Sequence, residues 1–308
     1  MGRRVVFVIN PSSGNGSTGR EWRAIASRIH ERIGDFGELY TTRPLEATQL
    51  ANRALEGGAD VVVAVGGDGT TNEVVNGFFG PDGKPVRRGA TLAVLPRGTG
   101  SDFLKSFHTT NTVDALALRL AAGKVRKLDV GRLRYVDHGG AEQLRHFVNI
   151  ASFGSSGLID RYVNASTKAL GGKASFAIGA VRGLLAWKDQ RVQLRFDDGP
   201  WEEMSITCVS VANGQFFGGG MWVAPDAQVD DGLFDVTIWS GYTLLDFVTK
   251  SRKIYDGSHV KMPGTRTLRA RKVEARCDAE CLLDVDGEAP GRLPATFEIV
   301  PGALTLLA

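Results

Sequence analysis

The chain has 308 residues, long enough for two domains rather than one. Hydrophobic residues make up 43% and charged residues 23%, ordinary for a globular protein, and no apolar run approaches the roughly 18 residues of a membrane-spanning helix. A formal net charge of +3 is too small to imply nucleic acid, and Cys208, Cys277 and Cys281, an odd count beside five scattered histidines, point to reduced thiols and no zinc site.

After Met1–Arg4, the run Val5–Asn10 is too short for a signal peptide and reads as a buried first strand, so a cytoplasmic protein is expected. Further strand-like runs follow at Glu38–Thr41, Ala59–Val65 and Thr91–Leu95, alternating with helical spacing over Arg20–Ile33, Glu46–Glu56 and Thr71–Phe78. Asp60–Val65 is apolar on both faces, as a central parallel strand must be. Alternation of this kind predicts an open, Rossmann-like, mostly parallel α/β domain over residues 1–127, with ligands beyond the carboxyl ends of its strands.

From Leu128 the texture changes. Val192–Phe196, Met204–Ala212, Leu233–Trp239, Thr267–Glu274, Leu282–Val285 and Ala295–Val300 are short strand-like runs parted by Gly, Asp and Pro. They predict an antiparallel β-sandwich over 128–295, with 296–308 free to return to the first domain. Two helical stretches interrupt it, Lys168–Lys188 and Thr243–Asp256; in the second, Leu244, Leu245, Phe247, Val248 and Ile254 form one apolar stripe.

Glycines gather at the strand ends. Asn10-Pro11-Ser12-Ser13-Gly14-Asn15-Gly16-Ser17-Thr18-Gly19 carries the G-x-G-x-x-G spacing of dinucleotide sites, yet the second strand ends in Tyr40-Thr41-Thr42 and lacks the acidic residue that would hold a nicotinamide ribose. What remains is a set of backbone amides at a helix start, fit for an anion or a plain turn. Gly66-Gly67-Asp68-Gly69-Thr70-Thr71-Asn72-Glu73 is the stronger loop: its glycines admit phosphate oxygens, and Thr70 or Thr71 can cap the next helix. A carboxylate there repels phosphate unless a metal or a proton transfer calls for it, which singles out Asp68. A third loop, Pro96-Arg97-Gly98-Thr99-Gly100-Ser101-Asp102-Phe103, repeats the pattern, and neither a Walker sequence nor a protein-kinase signature occurs.

Together, Asn10-Pro11…Gly14, Gly66–Thr70…Asn72-Glu73-Val74…Asn76-Gly77 and Gly98-Thr99-Gly100-x-Asp102-Phe103 resemble the diacylglycerol-kinase catalytic domain shared by bacterial lipid kinases, eukaryotic diacylglycerol kinases and sphingosine kinases. Asn149–Ser152…Gly154, Ala212–Gly214, Gly218–Met221, Ala224-Pro225…Asp230–Gly232 and Asp286–Glu288 extend the resemblance over nearly the whole chain. It implies an ATP-dependent lipid kinase using Mg2+, with its active site in the cleft between the domains. Asn10, Pro11, Ser12, Ser13, Gly14, Thr41, Gly67, Asp68, Gly69, Thr70, Thr71, Asn72, Glu73 and Thr99 would hold the nucleotide. Glu288 or Asp68 would be the general base, Asp129 would join the magnesium–water network, and Gln228, Asp231 and Leu233 would form a separate structural magnesium site. Asn15 and Ser101 depart from the lysine and asparagine of many bacterial members.

An NAD-kinase-like enzyme and a non-catalytic nucleotide or lipid sensor are the alternatives. Lys250 to Arg276 holds nine Lys/Arg against two acidic residues, a net +7 that leaves −4 for the rest of the +3 total. This predicts reversible contact with an anionic membrane at the inner face. The expected partners are thus a lipid substrate and that surface, not nucleic acid, with a homodimer left open.

Overall fold

The computed structural model describes residues 2–98, 100–107, 110–165, 182–183 and 185–308. Thr99 and most of the expected Lys168–Lys188 helix (168–181 and 184) lie outside them. The chain divides into two units: Met1–Val130 with Pro301–Ala308, and Gly131–Val300. The sequence reading put these divisions at Lys127/Leu128 and Ala295/Thr296.

In the first unit, β1 (Val5–Ile9), β2 (Gly37–Tyr40), β3 (Val61–Gly66) and β4 (Thr91–Pro96) form a parallel sheet in the order β2-β1-β3-β4. The end of the last strand returns beside β4, Thr305 opposite Thr91. The helices are α1 (Ser17–Ile33), α2 (Glu46–Glu56), α3 (Asp68–Gly77), α4 (Asp102–Lys105) and α5 (Val113–Ala122). Buried Phe7, Ile9, Ile29, Val63 and Leu116 centre the core, Phe7 packing on Trp22 at 5.6 Å between ring centroids. α3 starts at Asp68 with Gly67 as its N-cap. The expected caps, Thr70 and Thr71, therefore lie inside the helix, where Thr71 Oγ1 donates back to the Gly67 carbonyl at 3.2 Å. α5 was not anticipated, although Thr112 caps it by accepting the Ala115 amide and Gly123 closes it at φ 64°.

In the second unit one antiparallel sheet runs β14 (Thr265–Ala270), β13 (Phe234–Trp239), β10 (Cys208–Ala212), β7 (Ile150–Gly154), β16 (Leu283–Val285). The other joins residues 291–300 of β17 (Gly291–Leu307) to β15 (Lys272–Cys277), β8 (Gln190–Phe196) and β9 (Glu202–Ile206). β5 (Val125–Asp137) pairs with β6 (Glu142–Phe147) through Gly131–Val136, and the short β11 (Phe216–Phe217) pairs with β12 (Met221–Trp222). Side chains of both sheets interdigitate: Phe153 stacks on Phe297 at 5.9 Å and Phe147 on Phe234 at 5.6 Å, all fully buried. Two expected single strands, Met204–Ala212 and Thr267–Glu274, each break into two that belong to different sheets, β9 then β10 and β14 then β15. The chain turns a corner at Thr207 and at Arg271, a bend that an unbroken alternating pattern does not reveal.

α6 (Ser155–Ala165) and α7 (Leu244–Tyr255) lie in this unit, with a short 3-10 helix at Ser258–Lys261 after α7. α7 opens on a capping box between Thr243 and Asp246. Leu245, expected on its apolar stripe, is instead 71% exposed. Among the described residues, no helix is long and apolar enough to cross a membrane.

Candidate active site

Because β1, β3 and β4 are neighbours and parallel, their three following loops emerge side by side. Side chains and backbone then lock the loops together. Asn10 Nδ2 donates to Thr70 Oγ1 at 3.0 Å, tying the first loop to the second, while Asn10 Oδ1 accepts the Ser12 amide at 3.0 Å. Second and third loops meet backbone to backbone: a Cβ on Gly98 would lie 2.7 Å from the Gly67 Cα, so no larger residue fits without moving a loop. The Arg97 amide donates to the Gly66 carbonyl at 2.7 Å, and its guanidinium reaches Ser17 and pairs with Glu21 on α1.

Within this cluster, Pro11, Ser12, Ser13 and Gly14 make the turn into α1, Gly14 at φ 60°, with the Ser13 and Thr18 hydroxyls 2.7 Å apart. Thr41 continues β2 by donating its amide to the Ile9 carbonyl at 2.9 Å, which sets it next to Asn10. Gly67 through Glu73 form the N-cap and first turns of α3, so their amides start a helix whose dipole favours an anion. Asn72 is fully buried and accepts the Asn76 side-chain amide. Glu73, expected near nucleotide, accepts the amides of Leu45 and Ala47 at 3.1 and 3.0 Å and so holds the start of α2.

Asp68 sits where the second and third loops touch. Its carboxyl is held above the ordinary range by burial and then by the charge of Asp102, against the pull of backbone amides from Asp102, Phe103 and Ser101. Asp102 is buried and pairs with Lys105 at 2.5 Å. Two close, poorly solvated carboxylates beside the amides of a helix start suit a divalent cation, which needs only one or two protein oxygens when other ligands supply the rest. Asp129, buried, accepts the Gly302 amide at 2.7 Å where the chain re-enters the first unit.

Glu288 lies in the second unit, in the turn after β16. Val285 and Glu288 exchange backbone hydrogen bonds at 2.8 and 3.1 Å around Asp286 and Gly287, both at positive φ (50° and 85°). That is the two-residue turn which Asp-Gly favours. The Asp286 carboxylate accepts amides of Val148, Asn149 and Ile150 at 3.3, 3.3 and 3.0 Å, offsetting the left-handed strain and fixing the turn. Glu288 is left half-exposed on a rigid mount.

Sequence reasoning gave no role to Asp160 or Asp284, and read Asp102 only as a motif residue and Asp286 as part of a motif and a turn. For Asp284 the available signal was a carboxylate within a buried strand, since a charge there requires partners.

The Gln228–Leu233 loop does not fit a bound cation as it stands. Asp231 accepts the Leu233 amide at 3.1 Å with one oxygen and pairs with the Arg269 guanidinium through the other, while Gln228 is exposed. Arg269 also approaches Asp235 at 3.5 Å, so arginine supplies the positive charge that the acidic loop requires. The basic stretch is neutralised elsewhere too. Lys250 pairs with Asp246, Arg266 with Glu202 and Lys272 with Glu274, and Arg276 lies over the Trp201 ring.

Comparison with known proteins places this geometry. The chain matches the diacylglycerol kinase catalytic domain over residues 4–133 and the YegS C-terminal NAD kinase beta sandwich-like domain over 149–308. The chain belongs to the diacylglycerol kinase catalytic domain family, and it is a kinase of that family, a phosphotransferase. A diacylglycerol kinase of Staphylococcus saprophyticus is 26% identical over 96% of this chain and 92% of its own length. One from Staphylococcus epidermidis is 28% identical over 96% and 89%. A solved structure from Bacillus anthracis str. Sterne named a diacylglycerol kinase shares the fold at a TM-score of 0.70, with 21% identity over 99% of this chain and 96% of that one. An NAD kinase from Archaeoglobus fulgidus in complex with ATP gives 0.53 at 13% identity over 99% and 93%.

Proposed function

We propose that this kinase takes the γ-phosphoryl group of ATP and transfers it to the hydroxyl of a diacylglycerol-like lipid. The observation that carries the reading is the locking of three glycine loops around Asp68, which leaves rows of amides at one sheet edge for phosphates. The nucleotide-side residues are Asn10 to Gly14, Thr41, Gly67 to Asn72, and Thr99, while Glu73 holds the start of α2 behind them. Asp68, with Asp102 beside it, would hold magnesium, which when bound neutralises charge on the transferring phosphates. Asp129 braces the returning chain by accepting the Gly302 amide.

Glu288 acts as the base. Its carboxylate takes the proton of the acceptor hydroxyl as the new O–P bond forms; the bond from the γ-phosphorus to its bridging oxygen breaks and ADP leaves. The half-exposed carboxyl then returns the proton to water. A fixed mount matters because a general base must sit within hydrogen-bond reach of the hydroxyl it serves.

Asp68→Asn and Glu288→Gln should each cut turnover by roughly 10²-fold or more, the scale of losing metal-linked electrostatics or a general base. Thermal unfolding should change little. Steady-state kinetics on both variants checks this, and near-wild-type turnover in both contradicts the mechanism.

A further inference from the structure

Two half-buried elements of the second unit meet at Gly257. Its φ of 74° turns the chain from α7 into the 3-10 helix, and a Cβ there would lie 2.9 Å from Pro225 Cγ and 3.1 Å from Trp222 Cε3. The Trp222 indole therefore packs directly on backbone at the end of α7. Trp222 belongs to the β11–β12 hairpin, where it faces Phe216 across the strands and stacks on its ring at 5.7 Å between centroids. Gly218, Gly219 and Gly220, all at positive φ, make the tip, and the aromatic side chains behind it are only half-buried. His259 fixes the junction: its Nε2 lies 3.1 Å from the Val223 carbonyl oxygen and its ring stacks on Trp239.

Two large apolar side chains of α7 point to solvent beside this junction, Leu245 at 71% and Tyr255 at 53% exposure. At 3.6 residues per turn, these two and Arg252 between them emerge within about 80° of one another, along about 15 Å of helix. Lys253 and, past Gly257, Lys261 are exposed as well. Lys250 pairs with Asp246, but Arg252, Lys253 and Lys261 form no ion pair among the described residues. Asp256, next to them, accepts the Ser258 amide at 2.9 Å. This mixture suits a bilayer better than a protein. Protein interfaces are depleted of lysine, whereas an interfacial helix lays leucine and aromatic side chains at the headgroup boundary with Lys and Arg around them. Tyr and Trp are the residues that favour that depth.

We propose that the outer face of α7 and the β11–β12 hairpin form one docking surface for an anionic phospholipid bilayer. Leu245, Tyr255 and the edge of Trp222 enter the headgroup boundary, and Arg252, Lys253 and Lys261 meet lipid phosphates. The hairpin is also tied to the turn that carries Glu288: Asn149 Nδ2 donates to the Phe216 carbonyl at 2.8 Å, and the Asn149 amide donates to Asp286 at 3.3 Å. Docking thus brings that turn and a lipid hydroxyl to one surface, a consequence that rests on the lipid-kinase reading above; the docking itself does not.

The test is sedimentation with vesicles of phosphatidylcholine, alone or mixed with phosphatidylglycerol, joined to fluorescence with brominated acyl chains. Wild type should bind the mixed vesicles. Leu245→Ser combined with Tyr255→Ser should bind them about 10-fold more weakly at unchanged Tm, the scale of losing two inserted apolar side chains. Bromine should quench tryptophan emission in wild type and clearly less in Trp222→Phe, which keeps an aromatic ring on Phe216. Wild-type binding by the double variant, or equal quenching in Trp222→Phe, overturns the proposal. So does binding to neither vesicle together with a wild-type dimer that the double variant dissolves, which would give the face to a second copy. The double variant should phosphorylate a monomeric short-chain diacylglycerol at the wild-type rate. Docking that follows this pattern in a protein unable to phosphorylate that acceptor would sustain the surface and overturn the lipid-kinase reading instead.

Discussion

Single residues in this molecule show how burial decides protonation. His146 on β6 is buried beside Arg132, and burial first, then that positive charge, lowers its ring to about 4. The unfolded chain binds the proton more readily, near the ordinary value of 6.5. The neutral buried ring therefore contributes stability above pH 6.5 that is lost as pH falls toward 4, by up to about 1.4 kcal/mol per pH unit. Chemical denaturation at pH 7.5 and pH 5 should show His146→Gln losing less stability between the two than wild type does. An equal loss would mean that other groups govern the acid limb. The carboxyls behave in the opposite sense: Asp68, Asp160 and Asp284 are held up, so their protonated forms favour the fold and deprotonation works against it. Residues that cost stability at working pH, gathered near the chemistry, are the usual mark of a site under functional constraint.

At the scale of elements, the first unit was legible because parallel strands announce themselves. Val61–Val65 is apolar on both faces, and α2 spans Glu46–Glu56 as its periodicity predicts. The loops were legible because Gly-Gly-Asp-Gly after such a strand has few uses. What could not be read was non-local. Glu73 looked free for nucleotide but reaches 26 residues back to cap α2. Thr207 and Arg271 looked like mid-strand residues but are corners, since the pattern inside a sandwich strand is the same on either sheet. Asp160 lies over 120 residues from the Asp284 it faces, a distance that only the docking of α6 at Gly157 closes.

The Gln228–Leu233 loop belongs to the same class, because Arg269 arrives from β14. Asp231→Ala should lower Tm in metal-free buffer by breaking that pair, and magnesium should shift wild type and variant equally. A magnesium-dependent rise in Tm that only wild type shows would restore the cation site to this loop. Differential scanning fluorimetry with and without magnesium measures both.

For the whole molecule, the distribution of charge bears on where it can dock. The +7 stretch is less available to a membrane than its sequence suggests, because Lys250, Arg266, Arg269, Lys272 and Arg276 already meet carboxylates or an indole. Arg252, Lys253, Lys261 and Arg271 remain for a surface. At about 1 kcal/mol each near anionic lipid they would suffice for no more than weak, reversible docking. In vesicle sedimentation, binding should require anionic lipid, fall from 0.1 to 1 M salt as the Debye length drops from about 10 to about 3 Å, and vanish when those four become glutamine. Equal binding to neutral vesicles would leave the phosphotransferase assignment intact and remove the electrostatic contact.

The central claim is that this family member phosphorylates a lipid hydroxyl with ATP. It is tested most directly by incubating the protein with γ-labelled ATP and magnesium and, separately, diacylglycerol, phosphatidylglycerol, sphingosine and NAD, each neutral or amphiphilic acceptor in mixed micelles. Label should move to diacylglycerol, with Asp68→Asn and Glu288→Gln transferring roughly 10²-fold less. Label on NAD alone, or on no acceptor while ATP still binds, would contradict the account.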